Sequence, residues 1–98
     1  MKLIMIKIYN GEDFDSLIKK RVLVDFYADW CGPCKMLGPV LEKLDSIDVI
    51  KINVDNFGDL SKKYGVMSIP CVILFEDGKE IKRNIGFMNE TKVKEFIK

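Results

Sequence analysis

Residues 22–28, VLVDFYA, form an apolar run broken only by Asp25. A strand with one wet face alternates apolar and polar side chains, whereas a nearly unbroken apolar run marks a strand buried on both faces. Such a strand needs covering layers above and below it, and the flanking sequence supplies them. Phe14, Leu17 and Ile18 precede it at helical spacing, and Leu37, Val40, Leu41 and Leu44 follow at i, i+3, i+4 and i+7. Pro39 lies inside that second helical run and should kink it, because it lacks an N–H and clashes with the preceding turn.

The remaining segments continue the alternation. LIMIKIY, from Leu3 to Tyr9, and DVIKINV, from Asp48 to Val54, read as strands. Phe57, Leu60 and Tyr64 mark a short helix that Gly65 ends. PCVILF is a strand with Pro70 at its start, where the missing N–H removes no ladder bond. Asp77-Gly78 is a hairpin signal leading into KEIKRNI, whose lysines and Arg83 suit an exposed edge. Asn89 is placed to cap a last helix carrying Val93, Phe96 and Ile97 inward. The order is βαβαβαββα, an α/β chain with a central mixed five-stranded sheet flanked by four helices. Without linkers or repeats, residues 1–98 read as a single domain, and 48% apolar content is enough for one core.

Composition narrows the function. Sixteen basic and fifteen acidic side chains leave a net charge of +1, which argues against nucleic acid or an acidic membrane as the main partner. The chain has no histidine, so Cys–His nucleophile pairs, imidazole bases and His-containing metal sites are excluded. The opening apolar run, Leu3 to Ile6, is broken by Lys7 and is too short for a signal-peptide core. No stretch reaches the length of a membrane span. A cytoplasmic location is expected, where a close cysteine pair is more often catalytic or metal-binding than a stable crosslink.

That pair is Cys31 and Cys34, in ADWCGPCKM. A zinc site wants four ligands, and only Cys71 remains to join them. A structural crosslink would close a very small loop and stabilise little. Electron exchange fits better. A helix starting near Cys31 leaves its first N–H groups free and puts the positive dipole end beside the sulfur, so a thiolate there is stabilised below the free pKa of about 8.5. Cys34, one turn on, faces the same way and can resolve a mixed disulfide formed at Cys31; Gly32 and Pro33 permit the tight approach. Asp25, inside a buried strand, should have a raised pKa and could take a proton from Cys34, directly or through water. A buried carboxylate satisfied by backbone is the structural alternative.

VDFYADWCGPCKMLGPVLEKL, INVD, KYGVMSIPCVILFEDGK and NIGF together resemble the thioredoxin family from end to end, with Trp-Cys-Gly-Pro-Cys-Lys as its signature. The resemblance implies a thioredoxin fold. It makes Cys31 the exposed nucleophile and Cys34 the buried resolving thiol, with Asp25 the buried aspartate and Lys51 its neighbouring lysine. It implies a cis bond before Pro70, and a flat docking surface of Trp30, Gly32, Pro33, Ile69, Pro70 and Gly86. No bound cofactor is implied beyond the redox-active Cys31–Cys34 disulfide, and no metal. The partners implied are disulfide-containing client proteins and an NADPH- and flavin-dependent thioredoxin reductase, with the chain itself a monomer.

Three departures bear on the site. Tyr27 stands where the family often has Trp. Phe87 and Met88, after Gly86, are bulkier than usual and would add apolar contact. Cys71 replaces the usual threonine after Pro70; it is either a small packed side chain or a third redox thiol lying across from Cys31. The expected activity is general protein-disulfide reduction that maintains cell redox homeostasis. An oxidase or isomerase would more often carry a histidine between the cysteines, and a glutathione-using relative would show Cys-Pro-Tyr-Cys. The non-enzymatic alternative is a docking subunit in which the surface matters and the thiols do not.

Overall fold

The computed structural model describes residues 4–98. The elements follow in the expected order: β1 (Ile6–Ile8), α1 (Phe14–Leu17), β2 (Val22–Tyr27), α2 (Gly32–Glu42), β3 (Asp48–Asn53), α3 (Gly58–Lys63), β4 (Cys71–Glu76), β5 (Lys79–Ile85) and α4 (Glu90–Phe96). The first strand is shorter than its apolar run, and Leu3, where that run begins, lies outside the described residues. The helical spacing that reaches Leu44 outlasts the helix. α2 stops at Glu42, and Leu44 stays buried from the connection beyond it. Pro39 lies inside α2 on its exposed side.

The sheet runs β1-β3-β2-β4-β5, so the doubly buried run VLVDFY is its central strand. β3 is parallel to both β1 and β2, β4 is antiparallel to β2, and β5 is antiparallel to β4. Asp77 and Gly78 both have positive φ, 55° and 80°, which a two-residue hairpin needs to match the strand twist.

Alternation along β2 sends its side chains to two separate cores. Val22, Val24 and Phe26 join Phe14, Ile50, Ile52, Cys71, Ile73 and Phe75 on the face covered by α1 and α3. There Tyr9, Phe14, Phe57, Tyr64 and Phe75 meet edge to face, with ring centroids 4.8–5.9 Å apart. On the opposite face Leu23, Val49, Val72 and Leu74 pack against Leu37 and Leu41 of α2 and Val93 of α4. Full burial of one such leucine stabilises by about 1.5–3 kcal/mol. Because both faces of β2 are sealed, α2 is held rigidly over the Leu23–Asp25–Tyr27 side, with its N-terminus at the carboxyl end of that strand.

Candidate active site

The site begins where β2 ends. Cys31 caps α2 with extended backbone (φ −91°, ψ 112°), and its Sγ accepts the Cys34 N–H at 3.2 Å. Pro33 falls in the first turn, where a missing N–H leaves no bond unmade. The two cysteines are joined as a disulfide, their Cα atoms 5.2 Å apart. Cys31 is 5% exposed and Cys34 4%, so the expected contrast between an exposed and a buried sulfur is absent in the disulfide. The reason is local. The Sγ of Cys31 is drawn toward the Cys34 N–H and lies 3.8 Å from the Ile69 carbonyl oxygen. The Ile69–Pro70 bond is cis. Pro70 in turn accepts the Gly86 N–H at 2.8 Å, which ties three segments distant in sequence around the disulfide.

Asp25 is fully buried, and neither carboxylate oxygen has a hydrogen-bond partner among the described residues. The satisfied structural aspartate is therefore not what is found. Burial pushes the carboxyl from 3.8 up to about 6, and the Lys51 ammonium opposes that shift only in part. Lys51 is the register partner of Asp25 on β3. Its Nζ lies 4.6 Å from the centroid of the Tyr27 ring. Tyr27, Ala28, Asp29, Cys34, Lys35, Gly38 and Lys51 line a cleft of about 320 Å³. Of the two cysteines only Cys34 lines it, and Asp25 projects from the β2 face that α2 covers.

The expected docking residues converge on the other side of the disulfide. Trp30 is 69% exposed and donates its indole N–H to Asp55 at 2.8 Å. With Val54, Val66, Met67, Ser68 and Ile69 it lines a shallow depression of about 400 Å³. Gly32 and Pro33 are exposed and Gly86, with φ +101°, is half-buried. Met67 is 94% exposed and was missed in the sequence; an apolar residue in the loop just before Ser68-Ile69-Pro70 was the available signal. Asp55 and Asn53 were missed too. The Asn53 side chain accepts the Asp55 N–H at 2.9 Å, which sets the loop that holds Trp30.

Two expectations need correction. Met88 adds nothing to this surface, since it is buried with α2 and α4, and only Phe87 is partly exposed. Cys71 does not lie across from Cys31. It pairs with Phe26 in the sheet and packs on the α1/α3 face, opposite α2, with no exposed surface. Burial pushes its thiol up, with nearby Arg83 opposing. Among the described residues no three His, Cys, Asp or Glu side chains gather to hold a metal ion.

The thioredoxin family model matches residues 5–98. The chain belongs to the thioredoxin family. A thioredoxin of Chlamydia caviae is 45% identical over 98 residues, covering 95% of this chain and 96% of that one. A thioredoxin of Mycoplasmoides gallisepticum is 44% identical, covering 93% and 97%. Among solved structures, a mutant thioredoxin from Halobacterium salinarum has a TM-score of 0.85 at 36% identity, with 96% of this chain and 88% of that chain covered. The protein is accordingly a disulfide oxidoreductase working by dithiol–disulfide exchange, with the Cys31–Cys34 pair as its redox group. As in that family generally, it takes disulfide substrates and is recharged by a reductase. Among the described residues no helix is long and apolar enough to cross a membrane.

Proposed function

We propose that the chain is a cytoplasmic, monomeric, general protein-disulfide reductase, in which Cys31 attacks and Cys34 resolves. The observation that carries this division is the N-cap geometry: the Cys34 N–H points at the Cys31 Sγ, and among the described residues no hydrogen bond is donated to the Cys34 Sγ. Reduction of the pair leaves a Cys31 thiolate held by that N–H and by the positive end of α2. The thiolate attacks one sulfur of a target disulfide, and the other target sulfur leaves as a thiolate. Asp25, ionised at neutral pH in most molecules with a pKa of about 6, takes the Cys34 proton. The Cys34 thiolate then attacks the Cys31 sulfur, the second target thiolate departs, and the Cys31–Cys34 disulfide forms. Two electrons pass from the dithiol to the target. An NADPH- and flavin-dependent reductase returns them.

Trp30, Gly32, Pro33, Ile69, Pro70 and Gly86 serve as the docking surface, a role supported by their convergence around the disulfide. Lys51 assists Asp25 from the neighbouring strand. The whole chain acts as one unit, with neither nucleic acid nor membrane as partner. The test is trapping. Cys34→Ser should accumulate mixed disulfides with cell proteins, resolved by non-reducing gels, and Cys31→Ser should trap nothing. Equal trapping by both variants would overturn the roles.

A further inference from the structure

We propose that Tyr27 is a positioning residue for proton transfer: its ring seats the Lys51 ammonium at the cleft beside Asp25. This rests on the reading of Asp25 as the proton acceptor for Cys34.

The placement follows from strand geometry. Asp25 and Tyr27 are two residues apart on β2 and so share the face covered by α2. Asp25 and Lys51 are paired directly in register, and Tyr27 is paired with Asn53. Lys51 is therefore the diagonal neighbour of Tyr27, within reach of a long side chain. Its Nζ lies 4.6 Å from the ring centroid. On the helix side it meets Gly38, where an added Cβ would lie 3.7 Å from the ammonium. The ammonium thus sits between an aromatic face and a bare stretch of helix backbone.

A lysine on a flexible four-carbon stem samples many rotamers unless something holds its head. The aromatic quadrupole does so. At a partly covered site it favours the seated ammonium over free rotamers by about two- to fivefold. Seated there, the cation favours the ionised form of Asp25, whose oxygens have no other partner among the described residues. Tyr27 does not touch the sulfurs and acts through Lys51.

Other groups facing Asp25 are accounted for. β2 contributes the Tyr27 phenol, the turn after it Asp29, and α2 contributes Cys34 and Lys35 to the same cleft. The β4 thiol, Cys71, belongs to the opposite face. From α4 and its C-cap the side chains reaching this core are the apolar Val93, Phe96 and Ile97. Burial, then the charges of Asp29 and Asp25, push the Tyr27 phenol up against a hydrogen bond from Asn53, so the ring stays neutral at working pH. Lys51 is the cation whose position the ring can change.

The test is a carboxyl titration of Asp25 by NMR in the oxidised protein, with the pH profile of the resolving step measured alongside. Tyr27→Leu should raise the Asp25 pKa by up to about 0.7 unit, the ceiling that a fivefold loss of seating sets. Tyr27→Phe, which keeps the ring, should titrate as the parent protein does. Lys51→Met should raise the pKa at least as far, and adding Tyr27→Leu to it should change nothing more. If Tyr27→Leu does not fold, Tyr27→Met takes its place. An unchanged or lowered pKa in the leucine variant, or the same shift with Lys51 already removed, would mean that the ring acts by packing or hydration, and the proposal is wrong. A pKa that moves as expected while the rate profile stays put would instead sink the reading of Asp25 and leave the positioning role standing.

Discussion

Replacing Asp25 by alanine should make the protein more stable, and only above acidic pH. The folded carboxyl titrates near 6 against an ordinary value of 3.8. Below the lower value both states are protonated and burial of the charge costs nothing. Between the two, the unfolded chain ionises while the folded one does not, so stability falls by about 1.4 kcal/mol per pH unit. Above the higher value the penalty is constant at about 3 kcal/mol, since the shift is roughly two units. Alanine removes that penalty and leaves a small cavity costing about 1 kcal/mol. The net gain at pH 8 is about 2 kcal/mol, a rise in Tm of about 8–16 °C for a chain this size. At pH 4 the gain should vanish. Glu12, Glu80 and Glu90, whose lowered values give stability that is lost in acid, affect both proteins equally and cancel in the difference. Thermal and urea melts of the oxidised proteins at pH 4, 6 and 8 check this, with disulfide-exchange rates expected to fall in the same variant. An alanine variant less stable at pH 8, or a gain identical at pH 4 and pH 8, would refute the reasoning.

Gly86→Asp should cost about 1–3 kcal/mol, because φ +101° strains any L side chain, and should impair reduction of a protein disulfide several-fold more than that of a small aromatic disulfide. Equal losses on the two substrates would mean damage to the thiols and not to docking. Cys71 has no exposed surface and a raised pKa, so brief alkylation of the reduced protein at pH 7 should label Cys31 and leave Cys71 unmodified until the chain is denatured, and Cys71→Thr should keep turnover. Peptide mapping that finds the two labelled at similar rates would restore Cys71 as a redox thiol. Asn89→Ala removes the side-chain bond to the Lys92 N–H at 2.9 Å and should lower stability by about 1 kcal/mol, read as a fall in Tm.

The order of elements was legible because each part of it depends on neighbours in the chain. The helical spacing from Phe14 to Ile18, the Asp77-Gly78 turn and the Asn89 cap are local signals, and each marks what the structure contains. Where the local pattern ran past its element, packing made the difference. Leu44 keeps the helical period because it enters the same core as Leu41, although the backbone has already left the helix. The cysteine pair was legible for the same local reason, since its spacing and its flanking Trp, Gly, Pro and Lys lie within six residues.

Position across the sheet was not legible at Cys71. In CVILF every side chain is apolar, so the run carries no alternation from which to assign a face, and the cysteine could have pointed toward α2 or away from it. Only pairing with Phe26 on β2 puts it with α1 and α3. Asp25 divides in the same way. Its place inside an apolar strand was enough to foresee a raised pKa, because burial of a carboxylate costs free energy wherever it occurs. The register that sets Lys51 opposite it comes from β3, which is remote in sequence, and with it the approach of the Lys51 ammonium to the Tyr27 ring; among the described residues no donor from any element reaches its oxygens. Local periodicity and turn chemistry are thus written residue by residue along this chain. Which charge faces which buried group depends on strand register and helix placement, and these exist only once the whole sheet has closed its two cores.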